Sequence, residues 1–358
     1  MKGLVYISCL LPVGLLAQEA NSGFELRTTI SAGAFYSPQL STPPRDGAPA
    51  TGGFRLMLYP TWKLSKHWTV AGAVQSESRP YLFADFTTPG YGVRTNVLQT
   101  YLCYSRFWNG GSLTVRIGQL STAFGAFLLR YDDSDNPLID VPMAYGYYYT
   151  PVSFVGQMGT EVDGSIGKVD MRAQFVNSSP ANPRSILDHD QYGNWAGGAG
   201  YTIRQGLRVG ASTYHGPYLD RHYDFFFPGE APPRTLPATA VGLDAQWGHG
   251  PWNVYAEWQH FQMDYRLIPT FTQHTGYAEA RRVLSPRWYA AARCGYIRAN
   301  AFPGHQAYEL VAGFRPNRYQ LAKVGYEIQQ GPLFQGAQGN TLALQLVTSF
   351  RPISIARD

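Results

Sequence analysis

From residue 23 onward the chain alternates apolar and polar residues with a period of two, and this limits its fold more than any other feature. Phe54, Leu56, Leu58, Trp62 and Leu64 fall on one face of a pleated ribbon, and Arg55, Tyr59, Thr61 and Lys63 on the other. Val169, Met171, Ala173 and Phe175 oppose Asp170, Arg172 and Gln174 in the same way. So do Trp252, Val254, Ala256 and Trp258 against Asn253, Tyr255, Glu257 and Gln259. Side chains two apart share a face in a strand, whereas a helix repeats near 3.6, so these are strands with one greasy and one wet side. Pro60 interrupts one of them and predicts a bulge there, because proline cannot donate to the ladder.

Sixteen such segments can be marked, at 24–36, 53–64, 67–78, 95–107, 112–120, 155–165, 168–178, 195–204, 207–215, 239–248, 251–261, 273–284, 287–297, 306–315, 318–328 and 341–350. Their connections alternate between short (65–66, 108–111, 166–167, 205–206, 249–250, 285–286, 316–317) and long (37–52, 79–94, 121–154, 179–194, 216–238, 262–272, 298–305, 329–340). A bilayer is crossed by strands of about 9–11 residues, and its core satisfies no backbone polar group, so strands must close into a barrel to cross it. The expected fold is therefore all-β: a transmembrane antiparallel β-barrel of sixteen strands, with short periplasmic turns and long extracellular loops. Six tryptophans, Trp62, Trp68, Trp108, Trp247, Trp252 and Trp288, cluster at the short turns, where a membrane-interface girdle requires amphipathic rings. The last segment ends on Phe350, and a tail from Arg351 to Asp358 follows it.

Composition agrees. Only 15% of residues are charged, against about 25% in soluble domains, and there are five lysines. The net charge of +5 forms no basic run, which argues against a nucleic-acid partner. After residue 17 no apolar run approaches the roughly 18 residues of a membrane helix. Met1-Lys2, the apolar stretch Leu4 to Leu16 and the step Ala17-Gln18-Glu19 read as a signal peptide over 1–17, leaving 18–358 as one barrel domain. The expected location is a bacterial outer membrane, with its lipid as a partner. Cys103 and Cys294 do not make a disulfide framework.

No nucleophile elbow, zinc-protease motif, Cys-x-x-Cys or P-loop occurs, so neither catalysis nor a cofactor is expected. Asp188-His189-Asp190 reads as a solvated loop rather than a metal site. Asp132-Asp133-Ser134-Asp135 lacks the Gly and Glu of an EF-hand. The informative element is the third long connection, 121–154, the longest and rich in apolar and aromatic residues. Such a segment needs burial, and the barrel interior offers it. Folded inward it becomes a constriction that carries Arg130, Asp132, Asp133, Asp135, Tyr145, Tyr147, Tyr148 and Tyr149; packing on neighbouring loops or a second subunit is the alternative. With the polar face luminal, Arg27, Arg55, Arg116, Arg172, Arg208, Arg293, Lys323 and Glu257 line the pore, and charged rings set ion preference.

Val115-Arg116-Ile117-Gly118-Gln119 followed by Ala123-Phe124-Gly125 resembles the strand-to-loop signature of the phosphate-selective porin O/P family. Gly164 to Arg172, closing on Phe175-Val176-Asn177, and Gly206 to Ser212 are similar to the same family's mid-barrel hairpin and following strand. The resemblance implies a sixteen-stranded, trimeric outer-membrane channel with loop three folded inward. That family recognises phosphate through a lysine cluster and an arginine ladder. Here lysine is scarce and loop three is acidic, so the resemblance carries the fold and not the substrate. The function expected is passive diffusion of small hydrophilic solutes or ions through a non-enzymatic porin. The alternatives are a sugar- or anion-specific channel with a Tyr-rich constriction, and a barrel enzyme or adhesin.

Overall fold

The structure is a computed structural model, and it describes residues 22–38, 48–79, 81, 92–146, 156–177, 193–217, 237–267, 269–300, 303–331 and 339–356. The predicted signal peptide, Tyr147 to Tyr149 and Asp188 to Asp190 lie outside these residues.

Strands β1 (Gly23–Tyr36), β2 (Ala50–Lys63), β3 (Trp68–Arg79), β4 (Gly92–Trp108) and β5 (Gly111–Leu120) open the chain. They are followed by β6 (Gln157–Ile166), β7 (Val169–Val176), β8 (Asn194–Arg204), β9 (Leu207–Pro217), β10 (Pro237–His249) and β11 (Trp252–Met263). The circuit is completed by β12 (Phe271–Val283), β13 (Trp288–Ala299), β14 (His305–Asn317), β15 (Gln320–Gln330) and β16 (Gly339–Ser349). Each strand pairs antiparallel with the next, and β16 pairs back onto β1 from Thr29↔Ser349 to Tyr36↔Leu342. The result is a closed antiparallel barrel of sixteen strands, and every predicted segment has its counterpart.

The tail is more than an appendage. Residues Ile353–Ala356 form β17, which pairs with the start of β1 from Leu26↔Ile353 to Gly23↔Ala356. Between Thr29↔Ser349 and Leu26↔Ile353, three residues on the closing strand oppose two on β1, so the seam resumes after a one-residue bulge at Phe350 to Pro352. The bulge expected at Pro60 is absent. The β2–β3 ladder passes from Leu58↔Val74 to Thr61↔Ala71 in unchanged register, and Pro60 pairs with Leu26 on the other side. Register shifts fall instead between Ala73 and Val74, Thr202 and Arg204, and Phe314 and Asn317.

The faces are those of an inside-out protein. On β16, Leu342, Leu344 and Leu346 are 44–50% exposed, whereas Gln345 and Val347 are 1–2% exposed. Ile117, Met171, Phe175, Leu243 and Val324 are likewise exposed on the outside, while Gln75, Glu161, Gln174, Glu257, Gln259, Glu279, Glu309 and Lys323 are buried inside. An apolar sheath this extensive suits hydrocarbon, and the polar interior matches the lumen of a transmembrane barrel.

Candidate functional site

The site is built where residues 121–146 meet the polar wall. The segment leaves β5 and turns at Gly125, whose φ of +79° is left-handed, and where a Cβ would fall on the Tyr145 hydroxyl and the Glu257 carboxylate. A 3-10 turn follows at Phe127–Arg130. Next comes a tight turn in which the Asp132 carbonyl accepts from the Asp135 and Asn136 amides, both at 2.9 Å, and the Asp132 side chain from Ser134 at 2.8 Å. One helical turn, Met143–Gly146, ends the described part.

Its apolar side chains are buried in three places around the wall. Phe124 packs with Ala196, Tyr214, Ala240 and Phe261 of β8 to β11. Phe127 and Val141 pack with Tyr277 of β12. Leu138 and Ile139 pack with Tyr289, Val311, Leu321, Ala343, Val347 and Phe35, from β13 round to β1.

Polar anchors alternate with these clusters. Arg55 of β2 donates from Nε to Asp133 Oδ2 at 3.0 Å and from Nη2 to Asp133 Oδ1, while Tyr81 donates to Oδ2 at 3.0 Å. Tyr59 donates to Asp132 Oδ2 at 2.5 Å. Lys323 of β15 places its ammonium among three carbonyls, those of Asp133 (2.8 Å), Asn136 (2.9 Å) and Leu138 (2.9 Å). Arg293 of β13 donates to the Asp140 carbonyl and to Glu309 Oε2, both at 2.6 Å. Glu309 Oε1 in turn accepts from the Ile139 and Asp140 amides at 2.7 and 3.1 Å. Arg130 donates to Glu279 Oε1 at 2.5 Å and lies 3.8 Å above the Tyr255 ring. Tyr145 donates to Glu257 Oε1 at 2.5 Å, and Gln174 of β7 donates to the Ser121 carbonyl at 2.6 Å.

The charges of the segment are thus largely committed. Burial alone would push the Asp133 carboxyl up, but Arg55 and Lys323 outweigh it and hold it below its ordinary value. Asp135 goes the other way, raised first by burial and then by Asp132, against the opposing pull of Arg27, Arg315 and Lys323. Burial lifts the Tyr131 phenol to about 12, and burial with the nearby Glu257 carboxylate lifts Tyr145.

All eight residues expected on the pore wall stand on the polar face. Arg55, Arg293, Lys323 and Glu257 are buried against the segment rather than presented to open water. Arg116 pairs with Glu161 and Asp163, and Arg172 with Asp163 at 3.1 Å. Arg208 pairs with Asp170 and Asp244, both at 2.6 Å, and Arg27 stacks 4.2 Å from the Tyr59 centroid. The six tryptophans sit at the strand ends flanking short connections; Trp62, Trp68, Trp108, Trp252 and Trp288 are exposed, and Trp247 is half-buried. Among the described residues no group of three or more potential metal ligands occurs. Sequence reading missed Tyr59 and Tyr81 as anchors; inward parity could have found Tyr59, but Tyr81 lies in a long connection where no periodicity marks it.

The strands define a class, the closed sixteen-stranded antiparallel barrel of transmembrane type. Among solved structures, the trimer form of OmpT, an outer membrane protein of Vibrio cholerae, superposes with a TM-score of 0.60 at 11% identity, over 92% of this chain and 100% of that one. The anion-selective porin from Comamonas acidovorans gives 0.60 at 11% identity, over 92% and 100%. A mutant of Rh. blastica porin gives 0.52 at 14% identity, over 91% and 100%. These likenesses establish the fold. No protein-family model and no curated protein sequence matches the chain, so the resemblance to the phosphate-selective family stays at the level of a porin barrel.

Proposed function

We propose that this protein is an outer-membrane porin, a passive and non-enzymatic channel for small hydrophilic solutes and ions, exported by the signal peptide over 1–17. Residues 121–146 lie across the lumen as its constriction. The observation that carries this reading is the docking of residues 121–146 on inward side chains from β2, β7 and β11 to β15, under a barrel whose exterior is apolar. A segment that touches so much of a closed circumference narrows the space within it. The tryptophan ends face the periplasmic interface of the membrane, the long connections face outward, and the chain assembles as a homotrimer in outer-membrane lipid. Planar-bilayer recording of the purified full chain tests the reading: discrete conductance steps are expected, and their absence overturns it. Tyr145 gives no support to a sugar-stacking constriction, because its ring packs on Phe127 with centroids 5.2 Å apart and its hydroxyl is committed to Glu257 and to the Ala126 and Phe127 amides.

A further inference from the structure

The two ends of the barrel differ in charge. The eight long connections carry twelve Asp and Glu against nine Lys and Arg. At the short-connection end the balance is one-sided. Lys66 stands in the β2–β3 turn, Arg106 near the end of β4 and Lys168 in the β6–β7 turn, and Arg204 closes β8. Arg282 precedes and Arg287 completes the β12–β13 turn, Arg318 lies in the β14–β15 turn, and Arg351 follows β16. All eight are exposed, and among the described residues none of them makes an ion pair. No exposed carboxylate accompanies them at this end among the described residues. The nearest acids belong to the interior: Asp163, Asp170 and Asp244 are held by Arg116, Arg172 and Arg208, and Glu25 is half-buried at the start of β1.

The aromatic girdle fixes the height of these cations. Arg282 is directly opposite Trp252 in register, and its guanidinium lies 5.2 Å from the ring centroid. Arg318 and Arg351 lie 4.6 and 6.0 Å from the Tyr319 centroid, and Arg351 Nε donates to the Tyr319 hydroxyl at 2.7 Å. Trp68 pairs with Tyr104 across β3 and β4, their centroids 5.1 Å apart, and Lys66 and Arg106 each stand two residues nearer the barrel end. Arg287 immediately precedes Trp288, whose ring packs on Phe314 at 4.5 Å between centroids. Interfacial aromatics sit at headgroup level, and two residues of tilted strand rise about 5 Å, within a headgroup layer about 5–8 Å deep. The cations therefore reach the phosphate plane of the adjoining leaflet. A guanidinium held on a ring keeps its N–H fork at the edge, and that fork matches phosphate oxygens. A zwitterionic headgroup offsets its phosphate with its own ammonium; an anionic one leaves that charge for the protein to meet.

We propose that these eight side chains form a basic collar that binds the phosphates of anionic phospholipids in the leaflet at the short-turn end. The assignment rests on the outer-membrane barrel reading and names the lipid class beside it; it does not depend on conduction.

The test inserts the full chain into vesicles of phosphatidylcholine and phosphatidylglycerol at fixed composition, with bromine carried on the acyl chains of each lipid in turn. Six of the eight tryptophans stand in the girdle beside the collar, so quenching of their fluorescence reports the lipid that adjoins it. Phosphatidylglycerol is expected to be favoured about fivefold over phosphatidylcholine, the ratio that one cation supplies at an anionic surface. Salt at about 1 M should bring that ratio close to one. Arg282→Gln, Arg287→Gln, Arg318→Gln and Arg351→Gln combined should lower it at least about twofold, whereas inorganic phosphate at matched ionic strength should leave it in place. Equal quenching by the two lipids at low salt overturns the collar, and binding of polyglutamate to the micellar protein then assigns the ring to an acidic polymer instead. Loss of the preference to free phosphate also overturns it. Quenching by neither lipid overturns the membrane reading, and the collar with it.

Discussion

The guanidinium of Arg55 and the carboxylate of Asp133 meet edge to edge across the interior, 3.0 Å from Nε to Oδ2, with both side chains 1% exposed. Removing one partner of a buried pair strands the other charge, which typically costs about 3–5 kcal/mol. Asp133→Asn is therefore expected to loosen the segment, seen as larger and noisier single-channel conductance with little change in reversal potential. Asp135→Asn, which removes a charge not spent on a strand cation, should instead move the reversal potential toward anions. Bilayer recordings of the two variants separate these outcomes.

The same two carboxylates give a two-stage acid response. Asp135 is raised above its ordinary value of 3.8, first by burial and then by Asp132, so the folded state takes up its proton before the pH falls to 3.8. In that window the segment stays docked and anion preference increases. Asp133 is lowered below 3.8, because Arg55 and Lys323 outweigh burial, so its anchoring is complete above 3.8 and is lost as the pH falls through the depressed value. Conductance should keep its amplitude down to pH 3.8 and rise only as the pH falls further, through the lowered value of Asp133. A single transition changing selectivity and amplitude together would contradict this order.

Tyr145 and Glu257 should behave as one unit. Their 2.5 Å contact and the shared approach of the Ala126 amide predict a coupling of about 1–2 kcal/mol in the cycle Tyr145→Phe with Glu257→Gln, measured by denaturant unfolding in micelles. Gly125→Ala should lose at least as much as Tyr145→Phe, since it adds left-handed strain of about 1–2 kcal/mol to the displacement of that hydroxyl. An additive cycle would show that the two groups act independently.

The exterior makes the sharpest stability prediction. Leu344 is 50% exposed at the middle of the outer face of β16. Leu344→Arg should cost about 2–4 kcal/mol for folding into lipid vesicles, the penalty for a cation deep on the lipid face of a barrel. Folding that is unchanged by this substitution would place the face in water.

How much was legible in the sequence follows from what each signal depends on. Strand parity is a local consequence of the pleat, so Arg55, Glu257, Arg293 and Lys323 could be placed inward without knowing the fold. What each of them touches depends on where residues 121–146 settle, and no local pattern records that Lys323 meets carbonyls from Asp133 to Leu138. For the same reason the acidic character of the segment was visible, while its neutralisation by Arg55 and Lys323 was not. Pro60 misled because a missing donor interrupts one ladder without shifting its register. The strand Ile353–Ala356 was missed because its four residues are too few for a period to show.

The seam between β1 and the closing strand joins Thr29 to Ser349, some 320 positions apart, whereas every other neighbouring pair of strands is consecutive along the chain. The fifteen remaining steps join strands that follow one another and can zip without waiting for distant sequence; circular closure cannot, and its entropic toll comes due only when the farthest partners find each other. Completion of the ring is for that reason expected to be the slow event in assembly, with a late intermediate that is a curled, still-unsealed ribbon.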